Sequence, residues 1–536
     1  MVKFSSSLNQ RLLDALQKNM HRPALFEEDS VISYGQLADR VASCSHRLQQ
    51  LGVKKSDCVA MQLRNTHQAV VLMLSTLMIG AIPVPILSSY REKELRYILQ
   101  TTTPKVIALQ RSTRRYNPLS YLQKLQQENI NIDVVLVEDY DDSEHDKQYL
   151  NLQDFCSVLE PLPAQALMVM DDDDIVMMLL SSGTTGLPKA IAHKNRGYSH
   201  MIACGCGIFS LTDRSIYFAA MPISHAFVLN SPGILGALSC GGAVVLADAP
   251  SAEQALDIIC HRGVTHTSLV PTLLSQWANV QRESPRFINS LLHVLVGGAR
   301  VTPELATYAS DILGITIQQC YGMSEGLLCF NRISDDDNIR FHSQGRPLCV
   351  EDEIRIIDAQ GEIVPIGHSG ELIARGPCTI TRYYQNTQAD SRAFTTDGFY
   401  RTGDIAHVDR QGNVFIDGRV NDAINRGGEK FSPNEIEELA LHHPAIRDAA
   451  CIGITDALYG EVSCLFVTTD DIGLTLGDVR QFFEQQGIAS FKAPERLIVI
   501  DTIPMKGIGK IDRLALHALL VQEDVSPQSV TTRKLS

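Results

Sequence analysis

From residue 31 onward the chain alternates amphipathic helical segments with short apolar strands, and this alternation constrains the fold more than any other feature. ISYGQLADRVASCSHRLQQLGV has the apolar spacing of a helix that exits through Gly52, and the strand-like CVAMQLRN follows it. AVVLMLSTLMIGAIPVPI repeats the theme as a buried helix, a glycine turn and a strand. Units of the same kind recur over 195–250 and 253–298. Strands joined by helices predict an α/β fold of mostly parallel sheets with helices on their faces. The Gly- and Ala-rich run from Gly233 to Ala247 reads as core, because no apolar run approaches the roughly 20 residues that span a bilayer.

Beyond residue 345 the texture changes. EDEIRIID, GELIARG and GNVFIDG, with Gly, Asp and Pro between them, predict short antiparallel strands forming a small β-barrel-like part. From about residue 422, SPNEIEELALHHP, AACIGITD, SCLFVTTD and RQFFEQQG predict a compact α+β segment. A chain of 536 residues exceeds a single core. We therefore expect a large N-terminal domain over 1–420 and a small mobile C-terminal domain over 421–536. A formal net charge of −14 opposes binding to nucleic acid. The N-terminus lacks the apolar core of a signal peptide, so a cytoplasmic protein without a membrane partner is expected. Thirteen cysteines are scattered singly apart from Cys204 and Cys206. With no CxxC pair and no ligand-like cluster with histidines, free thiols are expected and structural zinc is not.

The segment Leu179–Lys189, LLSSGTTGLPK, carries the clearest chemistry. An apolar strand runs into Ser181, Ser182, Gly183, Thr184, Thr185 and Gly186, and then Lys189. Glycines let backbone N–H groups turn toward an anion, hydroxyls add donors, and the lysine adds a positive charge. The spacing is not that of a Walker-type loop.

This segment resembles the phosphate loop of the adenylate-forming superfamily, which comprises acyl-CoA synthetases, peptide-synthetase adenylation domains and luciferases. Tyr321-Gly322-Met323-Ser324-Glu325, Tyr400-Arg-Thr-Gly-Asp404, Asp417-Gly-Arg419, Asn425-Arg-Gly427-Gly428-Glu-Lys430 and Gly507-Ile-Gly-Lys510 follow in the superfamily's order. The resemblance implies ATP and Mg²⁺ as cofactors. Glu325 and Thr185 would hold the metal, an oxygen set that suits a hard cation. Asp404 would accept the ribose hydroxyls, Arg419 would reach ribose or phosphates, Gly298 and Ala299 would pass close to adenine, and Tyr321 would stack on it. Lys510, delivered by the mobile domain, would bridge carboxylate and α-phosphate as the catalytic lysine. The family usually has Thr at the position of Lys506. Asn421 corresponds to the hinge, and Gly427, Gly428 and Lys430 would guide a pantetheine thiol.

A closer resemblance is to the stand-alone aryl-acid AMP ligases of siderophore synthesis, carried by YFAAMPISHAFVLNSPGILGAL, IQQCYGMSEGLLCFNR, NRGGEK and GPCTITRYYQN. It implies a small aromatic acid held by His225, Ala226, Phe227, Ser231, Gly298, Ser324 and Leu328, with His225 also at the reacting centre. The family usually has Asn where this chain has Ala226. The loss of that amide leaves dihydroxybenzoate, salicylate and other benzoates open. The activated acid would pass to the phosphopantetheine thiol of an aryl carrier protein or peptide-synthetase carrier domain in trans, or alternatively to free coenzyme A. A rival reading is a serine hydrolase through Gly322-Met-Ser324-Glu-Gly326, which would require a nucleophile elbow running straight into a helix.

Overall fold

The computed structural model describes residues 6–523 except 112–116, 129, 131, 141–148, 158, 160–169, 182–187, 300, 421–423, 427–428, 457–458, 487–491 and 507–509. The repeated units fold as their periodicity predicts. ISYGQLADR becomes the helix Tyr34–Gln50, begun by a capping box in which Ser33 and Gln36 satisfy each other's backbone amides. The strand Cys58–Gln62, the buried helix His67–Met78 and the strand Ile82–Pro85 follow. These strands join 106–110, 134–138 and 149–151 in a parallel five-stranded sheet.

A second sheet has nine strands in the order 346–347, 328–330, 316–322, 293–296, 266–269, 216–219, 243–246, 23–27, 30–33. From 23–27 to 316–322 its ladders are parallel, and only its edges are antiparallel. Such a sheet is covered on both faces, which is why its central strands are buried, polar residues such as Thr267, Ser268, Gln318 and Gln319 included. Asn65 fastens the two sheets together. Its buried amide nitrogen donates to the carbonyls of Ala219, Met221 and Ala247 at 2.8–3.0 Å, and its oxygen accepts from the Ile223 amide at 2.7 Å.

The segments after residue 345 form a four-stranded antiparallel sheet, 353–357, 370–375, 400–408, 414–419. The last part of the chain builds a sheet on the long hairpin Asp448–Asp456 and Gly460–Thr468, with Ile424–Arg426 and Arg496–Val499 alongside. The helix Pro433–Leu441 packs on it through Ile436 and Ala440. Among the described residues no helix is long and apolar enough to cross a membrane.

Candidate active site

In parallel sheets with helical crossovers, ligand sites lie beyond the C-terminal ends of the strands. Several of the expected site residues, among them Gly298, Ala299 and Tyr321, lie at such ends of the nine-stranded sheet. The strand Ile175–Ser181 pairs antiparallel with Lys189–Lys194, and Ser181 stands opposite Lys189. Ser182, Gly183, Thr184, Thr185 and Gly186 lie outside the described residues. Lys189 is placed: its ammonium sits 4.6 Å from the centroid of the Tyr383 ring.

The same tyrosine reaches the proposed metal carboxylate. The Tyr383 hydroxyl donates to Glu325 Oε1 at 2.8 Å and lies 3.0 Å from the Tyr400 hydroxyl. Glu325 is buried, and burial beside that carboxylate pushes both phenols well above their ordinary range. A buried carboxylate beside phenolic oxygens fits a hard cation that prefers oxygen ligands. The phosphate-loop lysine, a tyrosine and an acid thus form one continuous chain of contacts.

Glu325 lies in a turn between antiparallel strands, with Gly322 opposite Leu328 and Cys320 opposite Phe330. The chain therefore leaves Gly322-Met-Ser-Glu-Gly326 as a hairpin, not as the strand-to-helix elbow a serine hydrolase needs, and that rival reading is dropped. Gly326 has φ +128°, and a Cβ on it would stand 1.9 Å from the Cys378 carbonyl oxygen, so only glycine fits.

On the nucleotide side, Tyr321 donates to Asp404 Oδ2 at 2.6 Å. Asp404 is buried and stands opposite Arg419 in the ladder. Gly297 packs so closely on Cys320 that a Cβ would fall 2.3 Å from its sulfur. Gly298 follows at φ +82° and lies exposed together with Ala299. Gly322 is exposed and Met323 half-buried beside Tyr321.

A small, narrow pocket is lined by Ala226, Ser231, Ser324 and Leu328, four of the expected acid-binding residues, together with Asn230 and His193. His225, Phe227 and Gly298 are not part of that lining. Phe227 turns to Gly297 instead, where an added Cβ would be 3.3 Å from its ring. His225 caps the helix Ala226–Asn230, with Nδ1 accepting from the Phe227 amide at 3.2 Å, which assigns its proton to Nε2. Burial, and then the Lys510 ammonium, press its pKa down to about 4, so it is a neutral donor at working pH. Lys510 itself is exposed and stands opposite Lys506 in a short antiparallel ladder. Asn421, Gly427 and Gly428 lie outside the described residues, and Lys430 is described as part of the strand Glu429–Phe431.

Sequence reasoning missed four contributors. Tyr383 and Tyr400 lie within quoted motifs, GPCTITRYYQN and YRTGD, and paired tyrosines near an acidic motif were the available signal. His193 donates through Nε2 to the Ser324 carbonyl at 2.8 Å, and burial lowers its pKa to about 4. Asn230 has no local signal beyond being polar in an apolar helix.

The "AMP-binding enzyme" family model matches residues 12–384, and the "AMP-binding enzyme C-terminal domain" model matches 435–510. The chain belongs to the AMP-binding enzyme family. It is 35% identical to the 2-hydroxy-7-methoxy-5-methyl-1-naphthoate–CoA ligase of Streptomyces carzinostaticus, over 96% of this chain and 93% of that protein. It is 32% identical to the 2,3-dihydroxybenzoate-AMP ligase of Bacillus subtilis, over 92% of this chain and 89% of the relative. Among solved structures, apo MbtA of Mycobacterium smegmatis matches with a TM-score of 0.71 at 32% identity, covering 96% of this chain and 95% of that one.

Proposed function

We propose that the chain activates an aryl carboxylic acid with ATP and then passes the acyl group to a thiol. One observation carries the reading: the cavity lined by Ala226, Ser231, Ser324 and Leu328 lies in the turn that bears Glu325, next to the His225 that Lys510 faces. A carboxylate oxygen of the acid attacks the α-phosphorus of ATP, forming acyl-AMP, and pyrophosphate leaves with the bonding electrons. Two anions must approach, so positioning and charge stabilisation carry the rate. Ser181, Ser182, Gly183, Thr184, Thr185, Gly186 and Lys189 cradle the phosphates. Asp404, Arg419, Tyr321, Gly298 and Ala299 hold the nucleoside. Neutral His225 donates from Nε2 to an oxygen of the acid, and Lys510 binds the charge that develops between acid and phosphate. Bound by Glu325 and Thr185, Mg²⁺ would offset the charge of the triphosphate.

The chain divides near Asn421 into parts 1–420 and 421–536, and the second part turns about that residue. It then presents Gly427, Gly428 and Lys430 to a pantetheine thiol, whose sulfur attacks the acyl carbon and releases AMP while the thiol proton passes to solvent. The acid is a benzoate, in keeping with relatives named for dihydroxybenzoate and hydroxynaphthoate. A separate carrier protein is the favoured acceptor. Free coenzyme A is the second reading, favoured by the 35%-identical relative named as a CoA ligase.

The test is acid-dependent ATP–pyrophosphate exchange across benzoate, salicylate, 2,3-dihydroxybenzoate and fatty acids. Exchange is expected with at least one benzoate and none with long chains. Exchange with fatty acids alone would refute the aryl assignment.

A further inference from the structure

The free cysteines are less scattered in space than in sequence. His200 and Cys204 lie one turn apart on the helix Asn195–Ile208, with Cys204 Sγ 3.6 Å from His200 Nε2. Cys349 joins them from the loop after Arg346–Pro347, and the three donor atoms lie within 4.8 Å of one another. Cys378, beyond the strand Gly370–Arg375, brings its sulfur to 3.1 Å from that of Cys349. With Asp352, these two form a second trio within the same 4.8 Å limit. His200, Cys349, Cys378 and Asp352 are buried, Cys204 is half-buried, and all three thiols are free. Neither buried oxygen of Asp352 makes a hydrogen bond of ordinary geometry. Among the described residues no lysine or arginine forms an ion pair with it. A buried polar group without a partner is costly, and His200, Cys204 and Cys349, with Cys378 beside Cys349, offer the imidazole and thiol donors that a thiophilic cation takes. Spacing along the sequence does not reveal these groups, because three distant segments supply them.

We infer that His200, Cys204, Cys349 and Cys378 bind a single Zn²⁺ ion, with Asp352 supplying negative charge beside it. Binding forms three Zn–S bonds and one Zn–N bond and releases three thiol protons to solvent, with no change of oxidation state. It exchanges the 3.0 Å contact between His200 Nε2 and Glu351 Oε2 for the metal bond. The ion would staple the 195–208 helix to the turn at 349–352 and the loop at 376–380. That loop holds the Glu325 turn from behind, because the Ile380 amide donates to the Glu325 carbonyl at 2.9 Å and the Cys378 carbonyl fills the space beside Gly326. The ion's role is to position the Glu325 backbone, remote from the reacting atoms.

The test uses the full chain, stripped of metal and reduced, and titrated with Co²⁺ and then Zn²⁺. Expected are saturation at one ion per chain, a thiolate-to-cobalt charge-transfer band, visible bands of tetrahedral intensity, and bleaching by Zn²⁺. Cys349→Ser and His200→Gln should each weaken Zn²⁺ by more than the ~10–100-fold that loss of an outer-shell partner costs. Cys260→Ser, at the exposed cysteine, should change nothing. Because Cys349→Ser could misfold, the wild-type spectrum is decisive. Absence of the charge-transfer band at saturating Co²⁺ would overturn the site. So would a Cys349–Cys378 disulfide recovered by mass spectrometry from zinc-replete protein.

Discussion

Replacing His193 by glutamine separates the acid sensitivity of the pocket wall from its architecture. The imidazole is buried, and burial lowers its pKa from 6.5 to about 4. Glutamine keeps an N–H that can donate to the Ser324 carbonyl, now met by His193 Nε2 at 2.8 Å, but does not titrate. In the unfolded chain His193 takes up a proton near pH 6.5, whereas in the folded chain it does so only near pH 4. Its contribution is therefore intact above pH 6.5, is lost as pH falls through that window, and is wholly gone below about 4. At about 1.4 kcal/mol per pH unit for one proton, the wild type loses roughly 2 kcal/mol at this position by pH 5 and about 3 by pH 4.

The variant should be less stable than wild type at pH 7, because the contact of the imidazole with the Tyr198 ring, 5.3 Å between centroids, is lost. It should regain roughly 2 kcal/mol relative to wild type on going to pH 5. Urea unfolding followed by the fluorescence of Trp277, the chain's single tryptophan and fully buried, measures the difference, and agreement with far-UV circular dichroism checks that one transition is being read. His225 and His266, also held near 4, contribute in the same direction, while buried Asp352, raised to about 7, opposes them. All three are common to both proteins and cancel. A stability difference that stays constant within ~0.5 kcal/mol between pH 7 and pH 5 would refute the reasoning.

Lys510→Ala should lower acid-dependent pyrophosphate exchange by about 100-fold or more while ATP affinity changes little, as filter binding and exchange assays would show. Tyr383→Phe removes the donor to buried Glu325 and should cost ~1.5–3 kcal/mol of stability by urea unfolding, with a higher Mg²⁺ requirement for exchange. Ala226→Asn adds an amide to the cavity wall and should move the exchange profile toward ortho-hydroxylated benzoates; an unchanged profile would remove Ala226 from the specificity wall.

What could be read from the sequence and what could not divide along a physical line. Helices and strands were legible because apolar period and glycine turns are local, as in Tyr34–Gln50 followed by Cys58–Gln62. The phosphate loop was legible because its chemistry is packed into eleven consecutive residues, Leu179–Lys189. Ala226, Ser231, Ser324 and Leu328 could be nominated by resemblance, yet that they share a cavity depends on a hairpin at 320–330 packing against the helix that His225 caps. Tyr383, Asn65 and the cysteine cluster were illegible for one reason: each acts through partners far away in the chain. Tyr383 is defined by Glu325 and Lys189, and Asn65 by carbonyls near 220 and 247. Cys378 is likewise defined by Cys349 and by the glycine at 326. In the last case one-dimensional spacing hides the cluster, since ligand motifs are recognised by short intervals while the side chains meet only in space. Where parallel strands end together, residues from distant segments converge, and so the positions that spacing dismisses are the ones such a fold brings together.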